Sequence, residues 1–313
     1  MFRILLLDSN HHLLIDTLRA NGFVCDEDYH SSKGEIEKKL SDYSAVVIRS
    51  RFKIDAAFMN AGSNLKCIAR AGAGMENIDL EYAATKGISC VHAPEGNRDA
   101  VGEQAIGMLL ALMNNICRAD HEVRSGHWIR EGNRGYELQG KTVGVIGYGN
   151  MGTAFVQRLK GFDVNILVYD KYRENFGTEE VKESTLEEIE EHADVLSLHV
   201  PLTKETEFMV DESFLSRFKK PIWLINTARG KILDTISLVK MLEHGKVRGA
   251  CLDVSEYESV SFEKMDISEF PEPFKYLIRS DKVILTPHIA GWTFESHEKI
   301  AKILAEKITL AIS

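Results

Sequence analysis

The sequence has little of what marks a secreted, fibrous or membrane-spanning protein. Its 313 residues include only 6 prolines and 5 cysteines, and no two cysteines form a CxxC pair. Scattered cysteines of this kind, mostly within apolar runs, are typical of buried unpaired thiols in a reducing compartment. The longest apolar segment, residues 106–113, is far too short to cross a bilayer. These absences predict a globular cytoplasmic protein without disulfides and without a membrane partner.

The chain also lacks a surplus of positive charge. Its 47 acidic residues outnumber the 38 lysines and arginines, and the formal net charge is -9. Nucleic acids and anionic membranes bind clustered cations that displace their counterions, so this balance argues against both as partners. A small anionic ligand remains compatible with it if basic residues are concentrated in one pocket. The apolar start of the chain ends at Asp8 with no small-residue cleavage site, which favours a first strand over a signal peptide.

Short apolar runs, each followed by an amphipathic stretch, recur along the chain and predict βαβ units. Because the runs are almost continuously apolar, we expect parallel strands covered by helices on both faces. The length also exceeds what one core usually supports. We therefore predict an α/β fold with two doubly wound parallel-sheet domains. The runs are FRILLL, AVVIRS, KCIARA and ISCVHA in the first series and TVGVIG, NILVYD, VLSLHV, IWLINT, GACLDV and VILTPH in the second.

Helical spacing is evident in two further parts of the chain. Apolar residues recur at helical intervals between residues 99 and 123 without an intervening proline, which predicts one long helix that bridges the domains. The chain after Thr293 is again helical, and we expect it to return to the N-terminal domain. The segment from Ser259 to Ser280, in contrast, has the pattern of an irregular loop.

A glycine-rich segment follows the run TVGVIG and opens a helical stretch. Its glycines have the spacing GxGxxG, in which Gly147 permits a tight turn, Gly149 lets the backbone approach a pyrophosphate, and Gly152 lets the helix pack on its strand. The N-terminus of such a helix presents unpaired N–H groups to phosphates. Asp170 follows at roughly the twenty-residue offset of a carboxylate that binds the adenosine ribose. The segment predicts an NAD site, and an ordinary glycine-rich turn with a surface aspartate is the alternative.

The choice between NAD and NADP depends on the end of the run NILVYD. A carboxylate at position 170 repels a 2'-phosphate and favours NAD. Lys171 and Arg173, which follow it, leave NADP open.

Three polar segments, NTARG, DVSEYE and TPHIAG, each follow a predicted strand of the second series. Ligands of open α/β sheets bind at the carboxyl ends of the strands, so we expect Arg229, Glu258 and His288 to share one crevice. There they could hold an anionic 2-oxo acid, orient an imidazole and exchange a proton. Each residue alone also has an ordinary interpretation, as a surface ion pair, a solvated loop carboxylate or a turn histidine. Their joint placement after one glycine fingerprint favours the catalytic interpretation.

Together these motifs resemble the D-isomer-specific 2-hydroxyacid dehydrogenase family over nearly the whole chain. The run RAGAGMENID and the segment HVPL belong to the same likeness. The resemblance implies a Rossmann NAD-binding domain, residues 98–290, inserted into a flavodoxin-like substrate-binding domain of residues 1–97 and 291–313. The RSR element (Arg49, Ser50 and Arg51), the segment APEGN and the run RAGAGMENID are most similar to the phosphoglycerate dehydrogenases of that family.

The resemblance implies roles for three residues. His288 is the acid and base, Glu258 is its partner, and Arg229 anchors the substrate carboxylate. A protonated imidazole can donate to the carbonyl oxygen while hydride arrives at carbon. A neighbouring carboxylate favours the imidazolium, and a guanidinium binds a carboxylate through two parallel hydrogen bonds. The implied activity is the NAD-dependent interconversion of a D-2-hydroxy acid and its 2-oxo acid.

Further ligand contacts come from the same resemblance. The residues implied along NAD are Gly147, Gly149, Asn150, Met151, Gly152, Asp170, His199, Val200, Pro201, Thr227, Ala228, Asp253, Ala290 and Gly291. Those implied at the substrate are Arg49, Ser50, Arg51, Ala73, Gly74 and Asn97, with the RSR element binding a substrate phosphate. Solvated strand-end cations are the alternative interpretation of its two arginines. We expect no metal, since the histidines do not stand at ligand spacings.

The sequence also departs from the family pattern. Ser259 follows Glu258 where proline is usual, and Ala73 stands before Gly74 where several relatives have a hydroxyl or a larger side chain. A single helical stretch ends the chain, so we expect no appended regulatory domain.

The narrower likeness implies 3-phospho-D-glycerate and 3-phosphohydroxypyruvate as the reactants, in serine biosynthesis. A reductase of glyoxylate, hydroxypyruvate or another 2-oxo acid is the enzymatic alternative, and an NAD(H)-sensing, corepressor-like binding protein is the non-enzymatic one. By analogy with the family we expect a homodimer built around the bridging helix and residues 125–138, including Trp128.

Overall fold

The computed structural model describes residues 2–258, 268 and 270–312. The described chain divides into two compact units, one of residues 2–99 and 291–312 and the other of residues 100–258 and 270–290. Of the segment predicted as an irregular loop, residues 259–267 and 269 lie outside the described residues, and Ser259, which stands where proline is usual, is among them. Its last part forms the helix Glu272–Arg279, so the prediction was wrong there.

The first unit contains a five-stranded parallel sheet. Its strands are β1 (Arg3–Leu6), β2 (Val24–Glu27), β3 (Ala45–Ile48), β4 (Cys67–Arg70) and β5 (Ser89–His92), and their order is β2-β1-β3-β4-β5. This is the flavodoxin-like order, in which the winding of the sheet reverses between β1 and β3. The sequence analysis missed β2, because this edge strand, VCDE, is only partly buried and lacks a continuous apolar run.

Both faces of this sheet are covered. Successive residues of β1 belong to different apolar clusters, since Leu6 packs with the cluster that contains Leu18 and Leu304, and Leu5 with the cluster that contains Phe58. The last helix packs against the first helix and against β4 and β5. The helices of this unit are α1 (His12–Ala20), α2 (Lys33–Lys39), α3 (Ala56–Ala61), α4 (Leu80–Thr85) and α12 (Phe294–Ile312).

The long helix predicted for residues 99–123 is two helices, α5 (Pro94–Met113) and α6 (Ile116–Arg124). The break lies at Asn115, whose φ of 53° is in the left-handed region. Asparagine tolerates this conformation better than most residues, because its short polar side chain can form local hydrogen bonds. The side chain of the preceding Asn114 donates to the carbonyl of Leu110, 3.0 Å away. The prediction was wrong because it counted only proline as a helix breaker.

The second unit contains a seven-stranded parallel sheet. Its strands are β6 (Thr142–Ile146), β7 (Asn165–Tyr169), β8 (Lys182–Glu183), β9 (Val195–Leu198), β10 (Ile222–Asn226), β11 (Val247–Leu252) and β12 (Val283–Leu285). Their order is β12-β11-β10-β9-β6-β7-β8, so the winding reverses between β6 and β9 as in Rossmann folds. The six predicted runs all form strands, and the two-residue β8 was missed. The predicted fold class is confirmed.

Helices cover both faces of the second sheet as well. Adjacent residues of β6 and β10 alternate between two apolar clusters, with Val145 and Ile225 in one and Ile146 and Leu224 in the other. The remaining helices are α7 (Asn150–Leu159), α8 (Leu186–His192), α9 (Glu212–Arg217), α10 (Thr235–Glu243) and α11 (Glu272–Arg279).

All five cysteines are unpaired, and three of them, Cys25, Cys67 and Cys251, are buried. Cys90 is half-buried, and Cys117 on α6 is exposed, so the prediction of buried thiols was wrong for Cys117. Within the described part of the chain, no helix has both the length and the apolar character of a membrane span.

Candidate active site

The three polar segments follow three neighbouring strands of the seven-stranded sheet. Asn226 of β10 pairs in register with Leu252 of β11, and Leu252 pairs with Leu285 of β12. The segments therefore leave the sheet at the same edge. A Cβ atom added to Gly230 would lie 1.9 Å from the carbonyl carbon of Ser255, so the first two segments touch through their backbones. Only glycine permits this approach.

Two side chains at this edge form a hydrogen-bonded acid–base pair. Nδ1 of His288 lies 2.8 Å from Oε2 of Glu258, and both side chains are partly exposed, at 27% and 21%. The other carboxylate oxygen of Glu258 accepts a hydrogen bond from the backbone N–H of Ser255. Because the carboxylate is held at both oxygens, it fixes the orientation of the imidazole.

The loop that carries His288 is tied to one buried carboxylate. Asp253, which is 0% exposed, accepts the N–H of Ile289 at 2.9 Å and that of Ala290 at 2.8 Å, one at each oxygen. Its backbone carbonyl accepts the N–H of His288 at 2.8 Å. His288 itself has a φ of 54°, an uncommon value for a non-glycine residue. These bonds hold that conformation, so Asp253, predicted beside NAD, also positions the histidine loop.

Gln104 on α5 completes the surroundings of Asp253. Its Nε2 donates to Oδ1 of Asp253 at 3.0 Å and to the hydroxyl of Thr286 at 3.1 Å, and that hydroxyl donates to the same oxygen at 2.5 Å. Burial raises the pKa of Asp253, while the hydroxyl of Thr286 and the N–H groups of Ala290 and Ile289 oppose the shift. The sequence analysis missed Gln104. The available signal was an amide directly before the apolar run of residues 105–113.

A buried amide shapes the loop that carries Arg229. Asn226, which is 0% exposed, donates through Nδ2 to the carbonyl of Arg229 at 3.0 Å and accepts the N–H of Ala228 at 3.1 Å. The guanidinium of Arg229 donates to the carbonyl of Ala228 at 2.6 Å. Oγ1 of Thr227 between them is buried and has no hydrogen-bond partner among the described residues. Asn226 is a second residue that sequence reasoning left without a role.

The glycine loop between β6 and α7 has the geometry that its sequence predicts. Gly147 has a φ of 95°, and an added Cβ would lie 2.5 Å from the carbonyl oxygen of His199. A Cβ on Gly152 would lie 2.0 Å from the carbonyl oxygen of Gly147. Gly149 differs, because a Cβ there would meet no atom of the described residues within 4 Å. The space beside Gly149 is therefore open, and α7 begins at Asn150, followed by Met151, without a side-chain cap.

Asp170 joins the end of β7 to the glycine loop. Its Oδ2 accepts the N–H of Tyr148 at 2.7 Å, and its Oδ1 accepts the N–H groups of Tyr172 and Arg173 at 2.9 and 3.1 Å. The guanidinium of Arg173 donates to the carbonyl of Tyr148, and Lys171 forms an ion pair with Glu205. Both cations that left NADP open are thus engaged within the protein.

The segment from His199 to Pro201 packs beside the glycine loop. Nε2 of His199 forms a 2.8 Å hydrogen bond with the buried hydroxyl of Ser197, and its buried Nδ1 has no partner among the described residues. Burial lowers the pKa of His199 to about 3, so the imidazole is neutral. A side-chain carbon of Val200 would lie 3.0 Å from a Cβ on Gly147, and the carbonyl of Pro201 accepts the hydroxyl of Thr206.

These features fit a bound dinucleotide. The open space beside Gly149 and the uncapped start of α7 suit a pyrophosphate, which accepts hydrogen bonds from backbone N–H groups. The unpartnered atoms of Thr227 and His199 are buried polar groups that a ligand could satisfy. Ala290 and Gly291 follow the His288 loop, Gly291 with a φ of 91°. No group of His, Cys, Asp or Glu side chains among the described residues could hold a metal ion.

The predicted substrate residues of the first unit follow β3 and β4 or lie on α5. The guanidinium of Arg51 donates to backbone carbonyls, whereas that of Arg49 lies over the ring of Trp292. The carbonyl of Ala73 lies 2.5 Å from Nδ1 of His92, and Oδ1 of Asn97 is buried with no partner among the described residues. Ser50 and Gly74 are half-buried in the loops after their strands.

The second unit therefore has the fold and loop geometry of a dinucleotide-binding domain with an acid–base pair at its carboxyl edge. Residues 106–290 match the family model described as D-isomer specific 2-hydroxyacid dehydrogenase, NAD binding domain. The chain belongs to this family, and its second unit is the NAD-binding domain. The family predicted from the sequence is confirmed.

The named relatives include both phosphoglycerate dehydrogenases and glyoxylate reductases. The chain is 37% identical to a D-3-phosphoglycerate dehydrogenase of Archaeoglobus fulgidus over 94% of its own length and 54% of the relative's. It is 38% identical to a glyoxylate reductase of Thermofilum pendens over 90% of its length and 82% of the relative's. It thus spans about half the length of the phosphoglycerate dehydrogenases that it matches.

A solved structure with ligands supports the fold. The D-lactate dehydrogenase from Aquifex aeolicus, complexed with NAD and lactic acid, superposes with a TM-score of 0.83 at 27% sequence identity. The match covers 98% of this chain and 94% of that one. The architecture is therefore shared along nearly the full length of both chains.

Proposed function

We propose that this chain is an NAD-dependent oxidoreductase that interconverts a D-2-hydroxy acid and its 2-oxo acid. The observation that carries the proposal is the 2.8 Å bond between His288 and Glu258, at the carboxyl edge of a sheet whose glycine loop fits a dinucleotide. Histidine oriented by a carboxylate is the common device for moving one proton near neutral pH. Family membership supports the same reaction.

In this mechanism, the coenzyme would supply a hydride as NADH or accept one as NAD+ when bound. Arg229 binds the substrate carboxylate through its planar fork and so places the 2-carbon. In the direction of reduction, protonated His288 donates its proton to the carbonyl oxygen, on which negative charge develops. Because Nδ1 faces Glu258, Nε2 is the nitrogen that exchanges this proton. Oxidation reverses these steps, and neutral His288 then accepts the hydroxyl proton.

We assign the coenzyme, Arg229 and His288 to the second unit, and the remaining predicted substrate contacts to the first unit. Asp170 supports NAD over NADP, because a carboxylate at the end of β7 repels a 2'-phosphate and the adjacent cations contact protein groups. The predicted substrate residues Arg49, Ser50, Arg51, Ala73, Gly74 and Asn97 all belong to the first unit.

The substrate that we propose is 3-phospho-D-glycerate, oxidised to 3-phosphohydroxypyruvate in serine biosynthesis. The RSR element and the Archaeoglobus fulgidus relative support this choice. A reductase of glyoxylate or hydroxypyruvate is the second candidate. One specific observation favours it, namely that the guanidinium of Arg51 is already bonded to three backbone carbonyls.

A steady-state panel of 2-oxo acids with NADH tests both levels of the proposal. The phosphoglycerate assignment expects a much higher kcat/KM for phosphohydroxypyruvate than for hydroxypyruvate. Equal values would exclude a phosphate site and leave the reductase. NADH binding without turnover of any 2-oxo acid would instead support an NAD(H)-sensing binding protein and would refute the enzyme.

We also propose a cytoplasmic homodimer. Large apolar side chains are exposed on and after α6, and they include Trp128 at 80% and Ile116 at 54%. Apolar groups concentrated on one surface are typical of a protein interface. Sedimentation of the wild type and of Trp128→Ser checks the dimer. If this surface forms the interface, the variant should dissociate at a higher protein concentration than the wild type, and equal dissociation would show that the surface plays no part. The unpaired cysteines are consistent with a reducing compartment.

A further inference from the structure

Four described donors surround the carboxylate of Asp253, and three of them belong to the loop that this carboxylate holds. These three are the hydroxyl of Thr286 and the backbone N–H groups of Ile289 and Ala290. The fourth is the amide of Gln104 on α5, the one described donor that lies outside that loop. A single side chain therefore joins the histidine loop and its anchor to another element of the second unit.

The amide of Gln104 bridges two side chains. Its Nε2 lies 3.0 Å from Oδ1 of Asp253 and 3.1 Å from the hydroxyl oxygen of Thr286. An ionised carboxylate only accepts hydrogen bonds, so the NH2 end of the amide, with its two hydrogens, faces both oxygens. Because the hydroxyl oxygen accepts from Gln104, its own hydrogen is directed at Asp253, 2.5 Å away. The amide thus supplies one bond to the carboxylate and sets the direction of a second.

Helix α5 is a fixed support for this amide. A Cβ atom added to Gly102, just before Gln104, would lie 2.9 Å from the carbonyl oxygen of Ala154, so α5 packs closely on α7. Further along α5, the side chain of Leu112 would lie 3.0 Å from a Cβ added to Gly249 of β11. The helix is therefore packed against the second unit on both sides of Gln104, and the amide cannot move without moving the helix or changing its rotamer.

The buried carboxylate depends on donors of this kind. Asp253 is 0% exposed, so hydrogen bonds must replace the water that an ionised carboxylate would otherwise bind. Its carbonyl and carboxylate oxygens together hold the N–H groups of His288 and of the two residues that follow, and His288 has a φ of 54°. An anchor that turned away would release this uncommon backbone conformation. The direction of the imidazole therefore depends on Asp253, and the direction of Asp253 depends on Gln104.

We propose that Gln104 is a positioning residue for the proton transfer, and that it acts on His288 through Asp253 and Thr286. Its task is to fix the direction of the imidazole, and it exchanges no proton itself. The part of this inference that concerns turnover rests on the proposed function. The part that concerns the loop does not, because it requires only that the N–H groups of residues 288–290 stay bonded to Asp253.

Gln104→Met tests the effect on turnover, because methionine is similar to glutamine in length and lacks both donor hydrogens. For the 2-oxo acid that the wild type reduces best, kcat should fall roughly tenfold, the scale of one hydrogen bond to a charged group. The KM values for that acid and for NADH should stay close to those of the wild type. A wild-type kcat in this variant, or a loss confined to KM, would overturn the proposal.

Gly107→Ala is the matched control on the same helix. Gly107 is exposed, and a Cβ added there would meet no described atom outside its own helix within 4 Å. Alanine should therefore stabilise α5 and leave kcat unchanged. Equal losses of kcat in Gly107→Ala and Gln104→Met would show that any change in α5 lowers turnover and would refute a specific role for the amide.

Gln104→Glu distinguishes hydrogen-bond donation from packing. The new carboxyl group has nearly the shape of the amide, and it can donate to Asp253 only while it is protonated. Two neighbouring carboxylates raise each other's pKa, so the population that holds the shared proton grows as the pH falls. The kcat of this variant, divided by that of the wild type at the same pH, should therefore rise when the pH is lowered from about 8 to about 5. A ratio independent of pH would contradict the donor role.

Amide hydrogen exchange tests the same link without turnover. The N–H groups of His288, Ile289 and Ala290 should exchange several-fold faster in Gln104→Met than in the wild type, because their acceptor is held by fewer donors. In Gly107→Ala they should exchange at the wild-type rate. If no 2-oxo acid oxidises NADH, the proposed function fails, and this measurement still decides the role of Gln104. Equal exchange in the wild type and Gln104→Met would show that the loop does not depend on the amide.

Discussion

The loop that carries His288 and the RSR element that carries Arg49 both follow a strand end, and each is held by one charged residue. Asp253 anchors the histidine loop through four donors, and Arg51 anchors the RSR element through three carbonyls. The residues that they support differ. His288 is fixed by a 2.8 Å hydrogen bond, whereas Arg49 rests on an aromatic ring at 4.3 Å.

This difference matches the tasks that we propose for the two residues. A proton must be passed within hydrogen-bond distance, so the imidazole needs a fixed direction. A guanidinium that binds a substrate phosphate can tolerate some freedom. Substitutions at His288 should therefore remove turnover, and substitutions at Arg49 should change the preference among substrates.

The largest effect is expected from His288→Gln. Removing the proton donor should lower kcat/KM for the best 2-oxo acid by about 1,000-fold, within the usual range for a general acid. NADH affinity, measured by fluorescence titration, should stay within a few-fold of the wild type. Parallel losses of turnover and of NADH binding would indicate that His288 has a structural role and does not transfer the proton.

Arg229→Lys should have the next largest effect. Lysine keeps the charge but loses the planar fork, so kcat/KM should fall roughly 10- to 100-fold. Lys231→Gln is a matched control, because this neighbouring cation is half-exposed and pairs only loosely with Glu207, at 3.9 Å. If both variants lose activity equally, Arg229 does not bind the substrate.

His199 should make stability depend on pH. The unfolded chain binds a proton at this histidine near pH 6.5, whereas the folded chain resists protonation until about pH 3. Stability is therefore lost as the pH falls below 6.5. Between pH 7 and 4.5 the free energy of unfolding should decrease by about 2.5 kcal/mol. The variant His199→Gln should not show this decrease. Urea unfolding at the two pH values measures the difference, and equal losses in both proteins would contradict the assignment.

The smallest effect is expected for the preference between the two coenzymes. Asp170→Ala should reduce the preference for NAD over NADP roughly fivefold, the scale of one partly exposed charge repulsion. Glu174→Ala, an exposed acidic neighbour, should leave the ratio unchanged. An unaltered ratio in Asp170→Ala would mean that another residue distinguishes the two coenzymes.

Much of the second unit could be predicted from the sequence because its signals are local. Strands buried on both faces are apolar almost throughout, so five of the six runs were visible for this reason. The sixth, β12, is a partly buried edge strand and was visible because its residues VIL are all apolar. Edge strands such as β2 are covered on fewer sides and lack that signal. The glycines at 147 and 152 are dictated by close backbone approaches, and this constraint is visible as spacing.

The supporting residues could not be found in the same way. Gln104, Asn226 and Trp292 carry no motif, and their roles depend on atoms far away in the sequence. Asn226 was seen only as the end of a strand, and Trp292 was given no role. The two arginines of the RSR element are the same residue type in the sequence, whereas their contacts in the structure differ.

The sequence by itself determined the parallel α/β architecture, the glycine loop and the set of side chains able to perform the chemistry. These depend on the hydrophobic period, on backbone freedom and on residue type, which are properties of short segments. Only the tertiary structure decided that His288 meets Glu258, that Asp253 holds their loop, and that Arg51 is engaged while Arg49 presents its charge. Those outcomes depend on which backbone groups the fold brings within hydrogen-bond distance.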